Sequence, residues 1–495
     1  MKRTFALCLT APALLCACGC AVGPDYKRPE VATPSAYREE APQGDSFANL
    51  PWWDLFQDEQ LRATIRIALA DNQDLKIAVA RIQQARASLG FTRADQWPSL
   101  GYAAQGVRAK TLSETPGVRG ISFGEPIAND GVVAANVSFE VDLWGRLRRA
   151  TESAREQLLA TEEARRSVTL TLVSDVAATY LLLRDLDARL DISRQTLASY
   201  RENYRLIKLR YDAGWTQLLD VDQAQIQVSG AEAAVAQYER SVAQTETTLN
   251  LLLGRPPVPV PRGKALTEQG FPEKIPAGLP SDLLERRPDI LQAEHLLHAQ
   301  TAQIGVAQAL RLPTFSLTGL YGRESQELLG YSGSATIWSG GLSIFGPLLD
   351  FGKSKSRVQV QRALAEQALQ AYEKTALAAF KEVEDGLVAV RTLNDQYVAT
   401  VRQVEAARSA VQLSQARYNE GYTNYLEVLD SERSLFSAEQ QASSILEQKL
   451  AAVVTLYKAL GGGWPPEPAP QSPPAAGGTR GEPVPAAATA GQSGP

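Results

Sequence analysis

Between Val176 and Tyr204 an apolar residue recurs every seventh position: Val176, Leu183, Leu190, Leu197, Tyr204. A second row runs three places later: Thr179, Leu186, Ser193, Tyr200, Ile207. This 3–4 spacing predicts a coiled-coil seam, interrupted by two hydroxyl residues. The segment around it, Arg146 to Arg210, contains no Gly or Pro and is rich in Ala, Leu, Glu, Arg and Gln, which are helix formers. A continuous helix of that length runs about 98 Å. Lys353 to Arg417 repeats the pattern, with Gly386 as its one weak point. Shorter returning helices are predicted at about Gln217–Leu253 and Asn424–Leu460. Leading helices are predicted at about Asp58–Gln96 and Ser281–Arg311. A returning plus a leading helix is about as long as one long helix, which predicts two short helices stacked end to end beside a continuous one.

Elsewhere the period falls to two. In "VVAANVSFEVD" Val133, Ala135, Val137, Phe139 and Val141 alternate with Ala134, Asn136, Ser138, Glu140 and Asp142. "TFSLTGLY" alternates Phe315, Leu317, Gly319 and Tyr321 against Thr314, Ser316, Thr318 and Leu320. "SLGYAAQG" and "ATIWSGGLSIF" are weaker strand candidates. Ordinary sheet edges show such alternation, and so do strands of a membrane barrel. Four strands cannot close a barrel, and open edges are not tolerated in lipid. Strands that cross a membrane here need several chains: two chains supply eight strands, and three supply twelve with some lumen. The connecting loops are placed at Val107–Gly131 and Arg323–Gly333.

The chain is two copies of one unit. Asp74, Gly90 and Pro98 correspond to Asp289, Gly305 and Pro313 at an offset of 215. From Trp144 onward the offset is 207: Gly145 with Gly352, Arg210 with Arg417, Gly214 with Gly421, Gly254 with Gly461. Each long helix ends in the same turn, "RYDAGWTQLLDV" at Arg210 and "RYNEGYTNYLEV" at Arg417, identical at six of twelve positions. Gly214 and Gly421 supply the permissive backbone where the chain reverses, and a carboxylate follows at the same place, Asp220 or Glu427.

Composition narrows the chemistry. Net charge over 495 residues is −5, so no basic surface points to nucleic acid. There are two histidines and four cysteines. The cysteines, Cys8, Cys16, Cys18 and Cys20, all fall in the first twenty residues, which leaves no disulfide framework or zinc spacing in the body of the chain. Lys2, Arg3 and an apolar run from Phe5 read as an export signal ending in "LLCACGC". The lipid-modified cysteine predicted by lipoprotein-signal chemistry is Cys18, with Leu15 and Ala17 before it. Cys20 is the alternative, and cleavage elsewhere in "ACGCA" is the plain signal-peptide reading. No segment outside the signal has 18 consecutive apolar residues. His295 and His298, spaced i, i+3, could face a metal, but the sequence places no third ligand nearby, and a packed or solvated pair is the simpler reading. No phosphate loop, nucleophile elbow or zincin motif occurs, so an enzyme is not expected and no cofactor is called for beyond a covalent (palmitate-type) lipid anchor.

"CAVGPDYKRP" at Cys20, "WWDLFQDEQLRATIRIALADNQDL" at Trp52, "LPSDLLERRPDILQAE" at Leu279 and the two RY..G turns resemble the outer membrane factors of Gram-negative efflux systems. The nearest likeness is to their lipoprotein NodT branch, similar to OprM and more distantly TolC. It runs from the signal to about Trp464. The family's spacing from the lipidated cysteine to "VGPDY" favours Cys20, where signal chemistry favours Cys18.

The resemblance implies a mainly α fold with a small transmembrane β part. Long coiled-coil hairpins form an α-barrel, and four strands per chain join a shared trimeric 12-stranded barrel. It implies a homotrimer in the outer membrane, touching outer membrane lipid and reaching into the periplasm. There it meets a periplasmic adaptor (membrane fusion) protein and an inner-membrane pump of the RND type, with no nucleic acid involved. It implies passive export of drugs or other solutes through a tunnel gated at its periplasmic tip. By motif position Leu426 matches the apolar constriction. Glu427 and Asp430 match a carboxylate ring, with Asp220 and Asp222 as their first-copy candidates. Arg417, Tyr418, Arg210 and Tyr211 match the closed-state latch. An Asp after a turn also serves as a helix N-terminal charge partner, and an Arg-Tyr pair can simply cap a helix end.

The expected organisation is a signal peptide at 1–17, a lipid-anchored extended segment at 18–57 and a first repeat at 58–254. A linker at 255–280, a second repeat at 281–464 and a disordered Pro/Ala/Gly-rich tail at 465–495 complete it. Alternative functions are the exit duct of a type I protein-secretion system and a lipid-anchored coiled-coil scaffold without a pore.

Overall fold

The computed structural model describes residues 21–39, 47–110, 127–271, 276–278, 280–325 and 334–462. Cys18, Cys20, most of the two strand-connecting loops and the tail at 465–495 lie outside the described residues.

The first copy is built from α1 (Trp52–Leu55), α2 (Glu59–Asp71), α3 (Gln73–Ala94), β1 (Ser99–Lys110), β2 (Ile127–Val141), α4 (Arg146–Asp212) and α5 (Leu218–Leu252). The second follows with α6 (Leu283–Arg286), α7 (Pro288–Ala309), β3 (Thr314–Ser325), β4 (Ala335–Phe345), α8 (Lys353–Asn419) and α9 (Tyr425–Ala459). The two long helices, α4 and α8, have 67 residues each, about 100 Å.

Neither leading helix is continuous, contrary to the sequence expectation. The first breaks at Asn72 and the second at Arg287, positions related by the repeat offset. Asn72 leaves helical geometry at ψ 134°, and its side chain accepts from Leu75 N to start α3 afresh. Pro288 occupies the first turn of α7, where its missing N–H costs nothing. These breaks let helices stack end to end. Asn72 Nδ2 donates to Leu252 O at the end of α5, 2.8 Å. Arg287 Nη1 donates to Ala459 O at the end of α9, 2.8 Å.

The predicted seam is present. Val176 and Leu183 are fully buried, and Leu186, Leu190, Leu197, Tyr200 and Ile207 are buried too. Ser193 is not a defect in it. Its hydroxyl donates to Arg189 O, 2.8 Å, and accepts from Gln440 Nε2 of α9, 3.0 Å. The largest core lies halfway along α4. Val176, Tyr180 and Leu183 meet Leu61 and Ile65 of α2, Leu249 of α5, Val383 of α8 and Leu456 of α9 there. One 18-residue window of α4 is apolar enough to cross a membrane (mean hydropathy 1.2), but half of it is buried inside the protein.

Residues 21–39 form a strap over the helices. Val22 N donates to Trp144 O, Asp25 pairs with Arg149 at 2.5 Å, and Arg28 pairs with Glu294 at 3.0 Å. Arg38 N reaches Glu384 Oε1 of α8, 2.8 Å. Tyr26 stacks on His298 with centroids 4.4 Å apart. His298 Nε2 lies 3.1 Å from Glu152 Oε1, and His295 Nδ1 lies 2.7 Å from Glu156 Oε2. The two histidines are thus a packed pair held by carboxylates. Among the described residues no set of three or more side chains is arranged to hold a metal.

The strands form one antiparallel sheet in the order β1-β2-β3-β4. Pairing of β2 with β3 joins the two copies, and β1 and β4 are left as edges. The register sorts the residues by face. Tyr102 lies opposite Ala135, Ala135 opposite Tyr321, and Tyr321 opposite Trp338. Leu100–Val137, Phe139–Leu317–Leu342 and Val141–Phe315–Ile344 share that face. The other face carries Gln105, Asn136, Ser138, Glu140, Ser316, Thr318, Ser339 and Ser343.

Candidate functional site

Both long helices end in the same hydrogen-bonded stop. Trp215 N donates to Arg210 O (2.8 Å) and Gly214 N to Tyr211 O (2.8 Å). Tyr422 N donates to Arg417 O (2.8 Å) and Gly421 N to Tyr418 O (3.1 Å). This paired bonding is the Schellman stop, which needs a left-handed residue just past the helix. Gly214 and Gly421 supply it at φ 77° and 80°.

The shared carboxylate closes each turn from the other side. Asp220 accepts the Thr216 hydroxyl, and Glu427 accepts that of Thr423. Asn424 caps α9, accepting from Glu427 N at 3.3 Å. Glu427 also lies 3.8 Å from Arg417 Nη1. Both partners are exposed, so this pair holds the turn only weakly. Leu426 is 55% exposed, and Asp222 and Asp430 are exposed on the second turns of the returning helices. The structure therefore brings Leu426, Glu427 and Asp430 to one end of the molecule with Asp220 and Asp222.

The four Arg and Tyr positions do not act alike. Arg210 crosses between copies: its Nη2 donates to Asn419 Oδ1, 3.2 Å, and its guanidinium lies 5.1 Å from the Tyr418 ring centre. Arg417 stays within its own turn. Tyr211 is exposed. Tyr418 packs beside Tyr425, with centroids 5.5 Å apart. Behind them Ile207, Val221, Ala224, Tyr425, Val428 and Leu429 form a small core that holds the two hairpins side by side.

Sequence reasoning missed three residues of this seam. Asn203 of α4 and Gln415 of α8 both donate to Glu432 Oε1 of α9, at 2.7 and 2.9 Å. Glu432 is buried, and its Oε2 has no partner among the described residues. Burial pushes its carboxyl above the usual range, and the bonds from Gln415 and Asn203 only partly offset this. The signal was legible: Tyr425, Val428, Leu429 and Glu432 follow i, i+3, i+4, i+7, the buried stripe of a helix. A cavity of about 170 Å³ lies between the hairpins, lined by Asn203, Arg210, Gln415, Tyr418, Asn419 and Tyr425 among others.

Comparison with known proteins shows the family. A family model described as outer membrane efflux protein matches residues 64–255 and 279–462. The chain is 38% identical over 461 residues to the solvent efflux pump outer membrane protein SrpC of Pseudomonas putida, covering 91% of this chain and 97% of that one. It is 33% identical over 452 residues to the cation efflux system protein CusC of Escherichia coli K12, covering 90% and 96%. A membrane protein from Pseudomonas aeruginosa superposes with a TM-score of 0.82 at 34% identity, covering 91% of this chain and 99% of that one. The open-state MtrE outer membrane channel of Neisseria gonorrhoeae superposes with a TM-score of 0.80 at 32% identity, covering 90% and 98%. With both repeats matched by the model and nine-tenths of the chain aligned to these relatives, the protein belongs to the outer membrane efflux protein family.

Proposed function

We propose that this protein is the outer-membrane channel of a tripartite efflux pump, a passive duct through which solutes leave the periplasm. The observation that carries the reading is the two-faced sheet. One side is apolar with Tyr102, Tyr321 and Trp338 in a single register row, and the other side carries Gln105, Asn136, Ser138, Glu140, Ser316 and Thr318, interrupted by Val132, Leu320 and Ile337. An apolar outer band with an aromatic girdle and a polar interior is what a barrel wall in lipid requires. A scaffold without a pore has no use for it. The unpaired edges at β1 and β4 require other copies, since lipid satisfies no backbone group. Three chains supply twelve strands and a lumen.

In the trimer the six tip turns surround one entrance. Leu426 forms its apolar constriction, and Glu427 and Asp430 form threefold carboxylate rings, with Asp220 and Asp222 contributing from the first copy. Such rings favour cations. Arg210 with Tyr418 is the latch between hairpins, and Arg417 and Tyr211 stand ready for contacts outside the subunit. A periplasmic adaptor docks at this end, and an inner-membrane pump of the RND type supplies the driving force. A lipid on Cys18, or on Cys20, anchors the start of the strap.

Single-channel conductance of the purified protein in planar bilayers tests this. Small, cation-selective openings are expected, and Glu427→Ala with Asp430→Ala should enlarge them or abolish the selectivity. A folded trimer that never conducts would sink the pore. Conductance indifferent to the double substitution would remove these two carboxylates from the gate.

A further inference from the structure

Glu432 is placed where one side chain touches both hairpins. Its Oε1 accepts from Asn203 on the first long helix and from Gln415 on the second, so a single oxygen ties α4, α8 and α9. The tie sits two turns above the tip, directly behind the Arg210–Asn419 contact and the cavity between the hairpins. Its other oxygen, Oε2, is buried with no partner among the described residues. We propose that Glu432 is a positioning residue of the tip and that its protonation state sets how tightly the two hairpins close on each other. The inference rests on the channel reading above.

Burial sets the direction. Beside Glu432 lie Tyr200 from α4, Tyr425 on its own helix and Gln415 from α8, with Arg433 acting on Tyr200 and Tyr418 behind Tyr425. From α5, Asp220 acts on Tyr425, and Gln227 can take the Arg433 guanidinium through its oxygen. No cation forms an ion pair with Glu432 among the described residues. An ionised carboxylate there keeps one oxygen dehydrated and uncompensated, which is costly. A protonated one keeps both amide bonds through Oε1 without that charge. Separating the hairpins would let water reach the carboxylate, so separation is favoured when it ionises. The closed seam thus binds more protons than the open one. By linkage its opening becomes easier as pH rises from the ordinary glutamate range through the raised value. Each unit of displacement allows a tenfold change in the open-to-closed ratio.

Two readouts test it, on the full-length purified trimer. One is conductance in planar bilayers at about pH 5 and about pH 8. The other is the shortest distance between spin labels at Leu209→Cys and Leu413→Cys, two exposed positions on the two long helices. Wild type should open more at the higher pH, with a longer label distance. Glu432→Gln keeps an oxygen for both amide donors, and should stay closed with no pH response. Gln415→Ala removes one stabilising bond from the anion, so its transition should move to higher pH. A wild type indifferent to pH in the label distance, or a Glu432→Gln protein that keeps the wild-type response, would overturn the proposal. The label distance does not depend on conduction. A silent channel whose hairpins still respond through Glu432 would count against the pore and for the tie.

Discussion

At Gly421 and Gly214 the backbone sits at φ 80° and 77°, and a Cβ added at either would meet nothing within 4 Å. Space is therefore not the constraint; the left-handed conformation is. Gly421→Ala or Gly214→Ala should cost about 1–2 kcal/mol per subunit, read as a lowered Tm with no new clash in the structure. Asp58 is the opposite case, a residue whose contacts matter. It is 1% exposed, yet its carboxylate accepts from Gln60 N, Tyr180 Oη, Lys264 N and Gln269 Nε2. It caps α2, grips α4 and pins the inter-repeat linker at once. Burial would raise its pKa, but the bonds from Gln269 and the backbone outweigh this and hold it low. Asp58→Ala should cost about 3 kcal/mol, since it strands several buried donors. Thermal denaturation checks this, and Asp58→Asn should recover part of the loss.

At the scale of elements, the strap at 21–39 reaches a titrating cluster through Tyr26, which stacks on His298, itself 3.3 Å from the Glu156 carboxylate that holds His295. The bond from Glu156 raises the His295 pKa against the opposing pull of burial. Burial tends to raise Glu156, but His295 and His298 outweigh it and keep the carboxyl low. The histidine contribution is complete below the ordinary histidine value of about 6.5 and fades as pH climbs through the raised one. The Glu156 contribution is complete above the ordinary glutamate value of about 4.3 and fades as pH falls through the lowered one. The clasp should therefore be firmest between those two values. Limited proteolysis of the strap, referenced to an unstructured peptide at each pH, should show faster cutting at about pH 8.5 than at about pH 6. His295→Ala should cut fast at both. Equal rates for wild type at the two pH values would show that the histidines do not fasten the strap.

At the scale of the whole molecule, duplication predicts the contact between subunits. Ser99 pairs with Ser138 and Thr314 with Phe345, so the sheet keeps the offsets of 215 and 207 residue for residue. Across the junction of copies, Val137 lies opposite Gly319. Their counterparts are Ile344 on one edge and Ala104 on the other. In the assembled barrel Ile344 should lie opposite Ala104 of the next subunit. Ile344→Cys with Ala104→Cys should give disulfide-linked trimers on a non-reducing gel. Ile344→Cys with Ala103→Cys should not, because a one-residue slip turns the side chain to the other face. Cross-linking of the slipped pair alone would mean that the subunit junction does not copy the junction between repeats.

The sequence by itself determined what depends on local periodicity. The heptads from Val176, the alternation around Val137, the two glycine stops and the offsets between copies are each written within a short stretch. The long helices, four strands and tip turns follow from them. The breaks at Asn72 and Arg287 are also written there, in an N-capping side chain and a helix-starting proline, but the apolar pattern continues across them, so periodicity alone does not reveal them. Only the tertiary structure decided which faces meet. That Arg210 reaches Asn419 and Tyr418, that Glu432 ties Asn203 to Gln415, and that Tyr26 lies on His298 are contacts between residues more than two hundred positions apart, with Gln415 and Glu432 alone close in the chain. Periodicity shows that a helix has a buried stripe. It does not say which neighbour buries it, because that is settled by packing two hairpins and a strap against one another at once.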